Sequence, residues 1–145
     1  MSIQERQAEI VAEFALFDDW MDKYEYIIEL GKALPLIDDQ YKDEQHRIRG
    51  CQSQVWLHAE VDDHKIRFTA DSDAVITKGL ISLMVRVLDK QAAPAIAAAE
   101  LTFIDQIGLH EHLSPTRSNG LRSMIKQMKL YGLAQATKEA HDGKE

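Results

Sequence analysis

The sequence predicts an α+β domain, a small antiparallel sheet with helices packed on it, and three observations carry that prediction. Two amphipathic helical stretches lead the chain. Two runs of apolar–polar alternation follow, joined by a turn. Helical spacing then returns and dominates the rest.

The elements follow in order. Ile3, Ile10, Val11, Phe14 and Phe17 recur at helical spacing across Ile3–Phe17. Asp18 or Asp19 can cap a second helix, in which Trp20, Tyr24, Ile27, Ile28 and Leu34 form one apolar stripe that stops at Pro35. The polar, acidic stretch Leu36–Gln45 reads as a loop. From Ile48 to Ala59 the helical period is lost. Val55, Leu57 and Ala59 alternate there with Gln54, Trp56 and His58, which predicts a strand with Trp56 as a core residue. After a turn at Asp62-Asp63-His64, Ile66, Phe68 and Ala70 alternate with Lys65, Arg67 and Thr69 and complete an antiparallel hairpin. A short strand around His46–Arg49 extends the sheet.

Between Val75 and Leu88 the stripe Val75, Ile76, Gly79, Leu80, Leu83, Met84, Val87 and Leu88 marks a helix that Asp71 or Ser72 can cap. Gly79 is the weak helix former within it and predicts close approach of another backbone. Pro94 opens a short Ala-rich helix, and Leu101–Ile107 forms another that Gly108 terminates. Ser114-Pro115 signals the start of a long helix with Leu121, Met124, Ile125 and Met128 on its inner face. The polar tail Thr137–Glu145 is expected to fray. The 145 residues fit one domain, with a core over about 3–135.

Composition narrows the function. Apolar residues are 45% and charged residues 28%, as in ordinary globular proteins. A formal net charge of -7 argues against nucleic acid and anionic membranes as partners, because both need clustered Lys and Arg, and it suits docking on a basic surface. The charged segment Met1–Ile10 lacks the apolar run of a secretion signal, and no stretch reaches the length of a membrane span, so the protein reads as cytoplasmic. No phosphate-binding loop, dinucleotide fingerprint or nucleophile elbow occurs. His110 and His112 stand one residue apart, but a structural zinc wants four ligands, so no metal site is read there.

Cys51 is the single cysteine, which excludes an internal disulfide. It lies in Arg49-Gly50-Cys51-Gln52-Ser53-Gln54, between the loop and the first strand. A lone cysteine is more often a small buried hydrophobe than a reactive group. Polar flanks, the permissive backbone of Gly50, and Arg47 and Arg49 nearby point instead to an accessible thiol inclined to ionise. Local chemistry leaves both readings standing.

Three blocks move the balance. Gly50-Cys51-Gln52-Ser53-Gln54-Val55-Trp56-Leu57 resembles the cysteine loop of the SufE family. Asp71-Ser72-Asp73-Ala74-Val75-Ile76-Thr77-Lys78-Gly79-Leu80 resembles its helix-opening block. His112-Leu113-Ser114-Pro115-Thr116-Arg117-Ser118-Asn119-Gly120-Leu121 resembles the start of its C-terminal helix. A match over Trp20–Leu34 joins them, and the resemblance runs from about Phe14 to Met128 in the family's order. Gln52 and Gln54 make the loop closer to SufE than to its relative CsdE.

The resemblance implies a fold shared with IscU-like scaffolds and a role as sulfur acceptor. A SufS-type cysteine desulfurase, which carries the pyridoxal phosphate, would form a persulfide on its own cysteine. Cys51 would take the outer sulfur, stimulate the desulfurase and deliver sulfur to an iron–sulfur scaffold of the SufBCD type, with no cofactor of its own. It also implies a resting thiol sheltered in its loop and exposed on docking. Gly50, Gln52, Asp73 and Arg117 are implied as partner-binding or loop-supporting residues. For Arg117 a helix cap, partner docking and support of the thiolate all remain open, as does a plain helix-dipole role for Asp73. Three rivals are a CsdE-type acceptor feeding another route, an IscU-like scaffold and a thiol hydrolase. A scaffold holds its cluster with several cysteines, and a hydrolase needs a positioned base that no motif supplies here.

Overall fold

The computed structural model describes residues 1–142. Its elements are helices α1 (Ile3–Phe14) and α2 (Trp20–Gly31), strands β1 (Val55–Asp62) and β2 (Lys65–Ser72), helix α3 (Val75–Leu88) and strand β3 (Gln91–Ala92). Helices α4 (Ala93–Ala98), α5 (Phe103–Gln106), α6 (Leu109–His112) and α7 (Pro115–Asp142) complete the chain. The sheet is antiparallel in the order β1-β2-β3, so the α+β prediction stands.

Local chemistry sets the first boundaries. Ser2 and Glu5 form a reciprocal capping box, with each side chain accepting the other's N–H at 3.0 and 3.1 Å. The first helix ends at Phe14, short of the predicted Phe17. Asp19, whose carboxylate accepts the Asp22 N–H at 2.9 Å, starts α2, and the chain must turn before it. Phe17 packs instead on the Tyr26 ring, 4.9 Å between centroids.

The hairpin pairs Val55 with Ser72 through to Asp62 with Lys65. Asp63 and His64 both take positive φ, 51° and 64°, as a two-residue turn matching the strand twist requires. The predicted strand at His46–Arg49 is reduced to one bridge, Arg47 to Trp56, flanked by Ile48 N–H to the Val55 carbonyl (2.8 Å) and Leu57 N–H to the His46 carbonyl (2.9 Å). Gly50, at φ 91°, turns the chain away before a strand can propagate. The predicted loop at 36–45 holds more structure than its composition suggests. It contains a 3-10 turn, Asp39–Tyr41, and Leu36 bridges Ala70.

Trp56 is not a core residue. It lies on the outer sheet face, half-buried, with the Lys42 ammonium 5.7 Å from its ring centre. On the same face the Tyr41 and His58 rings stack at 3.8 Å. These contacts hold the 39–49 segment against the sheet and so aim the residues that follow it.

The inner face, Val55, Leu57, Ile66, Phe68 and Ala70, is buried against α3 in one hydrophobic cluster. Nine residues of α3 are buried, so this helix is covered on most sides and is the centre of the fold. Val75 departs from the predicted stripe and is exposed at the first turn. Gly79 does admit a second backbone, since a Cβ there would stand 2.2 Å from the Ile27 carbonyl oxygen of α2. Neither Asp71 nor Ser72 is the cap of α3; the capping position is Ala74, without a side-chain bond. Asp71 stays in β2, where its carboxylate accepts from Lys42 (2.9 Å), Lys78 (3.3 Å) and the Ser72 N–H (2.8 Å). Burial works against that charge, yet these donors together hold the carboxyl below its ordinary range.

The long helix opens as predicted, with Ser114 Oγ accepting the Arg117 N–H at 3.2 Å. It runs on through the residues expected to fray, up to Asp142, with Thr137 bonded to the Leu133 carbonyl and Gln135 to Glu139. The remainder of the predicted tail, 143–145, lies outside the described residues.

Candidate functional site

Cys51 sits where the 39–49 segment leaves the outer sheet face and meets α7. Two contacts fix the meeting. Gly50 lies so close to α7 that a Cβ on it would come within 2.7 Å of Ser123 Oγ, in a backbone conformation that side chains rarely adopt. One turn of helix away, a Cβ on Gly120 would stand 3.2 Å from the Cys51 sulfur. The Cys51 S–H donates to the Gly120 carbonyl at 3.6 Å, a weak bond to a neutral thiol.

The downstream end of the loop is pinned as firmly. The Asp73 carboxylate accepts the Gln54 N–H at 2.9 Å, and the Asp73 N–H donates to the Gln54 carbonyl at 3.2 Å. Ser53 Oγ bonds Thr77 Oγ1 at 3.3 Å. Residues 50–54 are thus held at one end by α7 and at the other by the start of α3, with the thiol between.

Beneath them lies a cleft of about 370 Å³. Val55, Leu80, Ile81, Leu121 and Met124 give it an apolar wall, while Asp73 and Arg117 are exposed at its edge with Gln52. The thiol is half-buried against this wall. Burial pushes the thiol's pKa up, and the charge of Arg47 opposes that only in part. The sequence expectation that Arg47 and Arg49 would favour the thiolate is therefore corrected. Arg47 acts in that direction, but desolvation outweighs it. The sequence could not show this because the desolvating residues come from α3 and α7, far along the chain.

Of the five residues singled out from sequence, Gly50, Cys51, Gln52, Asp73 and Arg117 all border this one region. Sequence reasoning passed over Gly120, Ser123 and Thr77, which touch or brace the loop. A glycine inside a long helix is a signal of close approach, and that signal would have found Gly120. His110 and His112 lie elsewhere, on α6, exposed, with the His112 ring stacked on Trp20 at 4.3 Å. Among the described residues no group of three or more His, Cys, Asp or Glu gathers as a metal-ligand set.

The fold and site together define a small α+β protein with one cysteine held at an apolar-walled cleft between a sheet edge and a long helix. A family model, the SufE Fe-S metabolism associated domain, matches residues 8–132. The chain belongs to the SufE family, and thereby to proteins of iron–sulfur metabolism. It is 40% identical over 126 residues to an uncharacterized SufE-like protein of Rhizobium meliloti, covering 83% of this chain and 90% of that one. It is 41% identical over 126 residues to a second from Rhizobium etli, covering 83% and 85%. SufE-like protein 1 of Arabidopsis thaliana, named as chloroplastic/mitochondrial, is 38% identical over 135 residues, covering 92% of this chain and 36% of that longer protein. A solution structure of a hypothetical protein from Thermus thermophilus has the same fold, with a TM-score of 0.75 at 19% identity, covering 91% of this chain and 96% of that one. Among the described residues no helix is long and apolar enough to cross a membrane.

Proposed function

We propose that the protein accepts persulfide sulfur on Cys51 from a SufS-type, pyridoxal-phosphate-dependent cysteine desulfurase, stimulates that enzyme, and delivers the sulfur to an iron–sulfur scaffold of the SufBCD type. One observation carries the proposal: the only cysteine of a SufE-family chain is poised at a cleft edge, on a loop pinned at both ends.

The transfer is a thiol–disulfide exchange. Cys51 loses its proton to solvent and, as thiolate, attacks the outer sulfur of the desulfurase persulfide. A new S–S bond forms on Cys51, the old one breaks, and the desulfurase cysteine leaves as thiolate. Nothing is oxidised or reduced overall. Desolvation of the half-buried thiol raises its pKa and so favours the protonated form until then. That protects it, because the thiolate is the form that enters the oxidation ladder.

Supporting roles follow from placement. Gly50 supplies the turn that brings the loop onto α7, and Asp73 holds the loop through Gln54. The exposure of Gln52 and Arg117 at the cleft edge supports a role for them in meeting a partner. Arg47 is the cation whose charge lowers the thiol's pKa, and the exposure of Arg117 at the cleft edge favours docking as its role.

Replacing Cys51 with alanine is expected to abolish stimulation of desulfurase turnover while binding, followed by calorimetry, persists. A specific interface draws on roughly 20–30 residues a side, so one sulfur atom contributes little to affinity. Arg117→Ala is expected to weaken binding and leave the single-turnover transfer rate in a saturated complex intact. Undiminished stimulation by the Cys51→Ala protein would contradict the covalent relay.

A further inference from the structure

Gly120 is the sixth residue of α7, past the first turn, where alanine would make the better helix. The three atoms nearest to a Cβ built on Gly120 all belong to Cys51: its sulfur at 3.2 Å, and its Cα and Cβ at 3.6 Å. The two carbon contacts are ordinary packing distances, whereas the sulfur contact is tight enough that the sulfur would have to give way by a few tenths of an ångström. The thiol therefore packs directly against the position that a side chain at 120 would take. The same residue's carbonyl oxygen receives the S–H, at 3.6 Å. Two independent features of one glycine, an absent side chain and a backbone acceptor, converge on the same sulfur.

We propose that Gly120 is the positioning residue that keeps the resting Cys51 thiol turned in against α7, and that any side chain at position 120 drives the sulfur outward. The direction follows from the surroundings. On one side α7 blocks retreat. Ser123 lies under Gly50, and the Asp73–Gln54 pair ties the far end of the loop, so the loop cannot slide along the helix. The sulfur can turn about its own side chain, away from position 120 and toward water. Turned out, it is less desolvated and nearer the proton-free form. This deepens the sulfur-acceptor reading, which gives the sheltered state its purpose. Alkylation needs no desulfurase, so it succeeds or fails as a test independently of that reading.

The probe is alkylation of the full-length protein by iodoacetamide, followed across pH. In Gly120→Ala, expected to fold at least as well as the native chain by circular dichroism, the rate at neutral pH should rise. Each unit by which the thiol's pKa falls gives about tenfold more thiolate there. The midpoint of the rate profile should move to lower pH. Gly120→Val should move it further.

A double-mutant cycle provides a second readout that does not rely on reactivity. With Cys51→Ala the sulfur is gone and only the ordinary carbon contacts remain. Gly120→Ala should then raise the denaturation midpoint more than it does in the native background. A folded Gly120→Ala protein with the native alkylation rate and pH midpoint, or with additive effects in the cycle, would overturn the proposal.

Discussion

At Cys51 two forces oppose each other, and their balance sets the chemistry of the resting protein. Desolvation by residues of α3 and α7 raises the thiol's pKa, and the charge of Arg47 lowers it by less. A value raised by folding means that the fold favours the protonated thiol. This group's contribution to stability is therefore full below the pKa of the unfolded thiol, and is lost as pH rises from there through the folded value. Alkylation of the native protein should accordingly show its midpoint at higher pH than the urea-unfolded chain. Arg47→Ala should move the native midpoint higher still, because the one opposing charge is removed. A native midpoint at or below the unfolded one would show that burial does not dominate. The cysteine, its polar flanks and its neighbouring arginines were legible in the sequence. The sign of their net effect was not, because Leu80, Ile81, Leu121 and Met124 reach the site only through tertiary packing.

Among the elements, α3 carries most of the architecture, and Gly79 shows why. A side chain there would run into the Ile27 carbonyl at 2.2 Å, so α2 and α3 touch backbone to backbone. Overpacking of a filled core costs about 1–3 kcal/mol or more, so Gly79→Ala should destabilise the protein. Alanine's gain of about 1 kcal/mol in an isolated helix offsets only part of the cost of a clash with backbone, which cannot swing aside as a side chain can. Urea denaturation measures the difference, and an unchanged or raised midpoint would contradict this packing. Gly79 was legible because its periodic neighbours already marked a buried helix. β3 was not, since two residues, Gln91 and Ala92, carry no alternation; their pairing depends on Lys65 and Ile66 being there to receive them. His46–Arg49 misled in the opposite direction. Its residues suit a strand, but the turn at Gly50 limits pairing to a single bridge. The end of α7 also exceeded its polar composition, extending through bonds such as Thr137 to Leu133.

For the whole molecule, the chain has brought three distant segments onto one thiol. Residues 39–49, braced on the outer sheet face by Tyr41 and Lys42, deliver the loop. Asp73 at the start of α3 ties its far end, and Gly120 on α7 receives the sulfur. The loop itself, from Gly50 to Leu57, and the segments around Asp73 and Gly120 carry the blocks whose resemblance pointed to the family, so the candidate site was largely legible as motifs while its geometry was not. The proposed role of this assembly is to carry one sulfur atom on Cys51. Intact-mass spectrometry without reductant tests it most directly, after incubation of the full chain with a SufS-type desulfurase and free cysteine. The expected result is a gain of one sulfur atom per chain, dependent on both desulfurase and cysteine, reversed by reductant, and absent from the Cys51→Ala protein. An unmodified mass alongside an otherwise active cognate desulfurase, or a sulfur adduct that survives in Cys51→Ala, would contradict it.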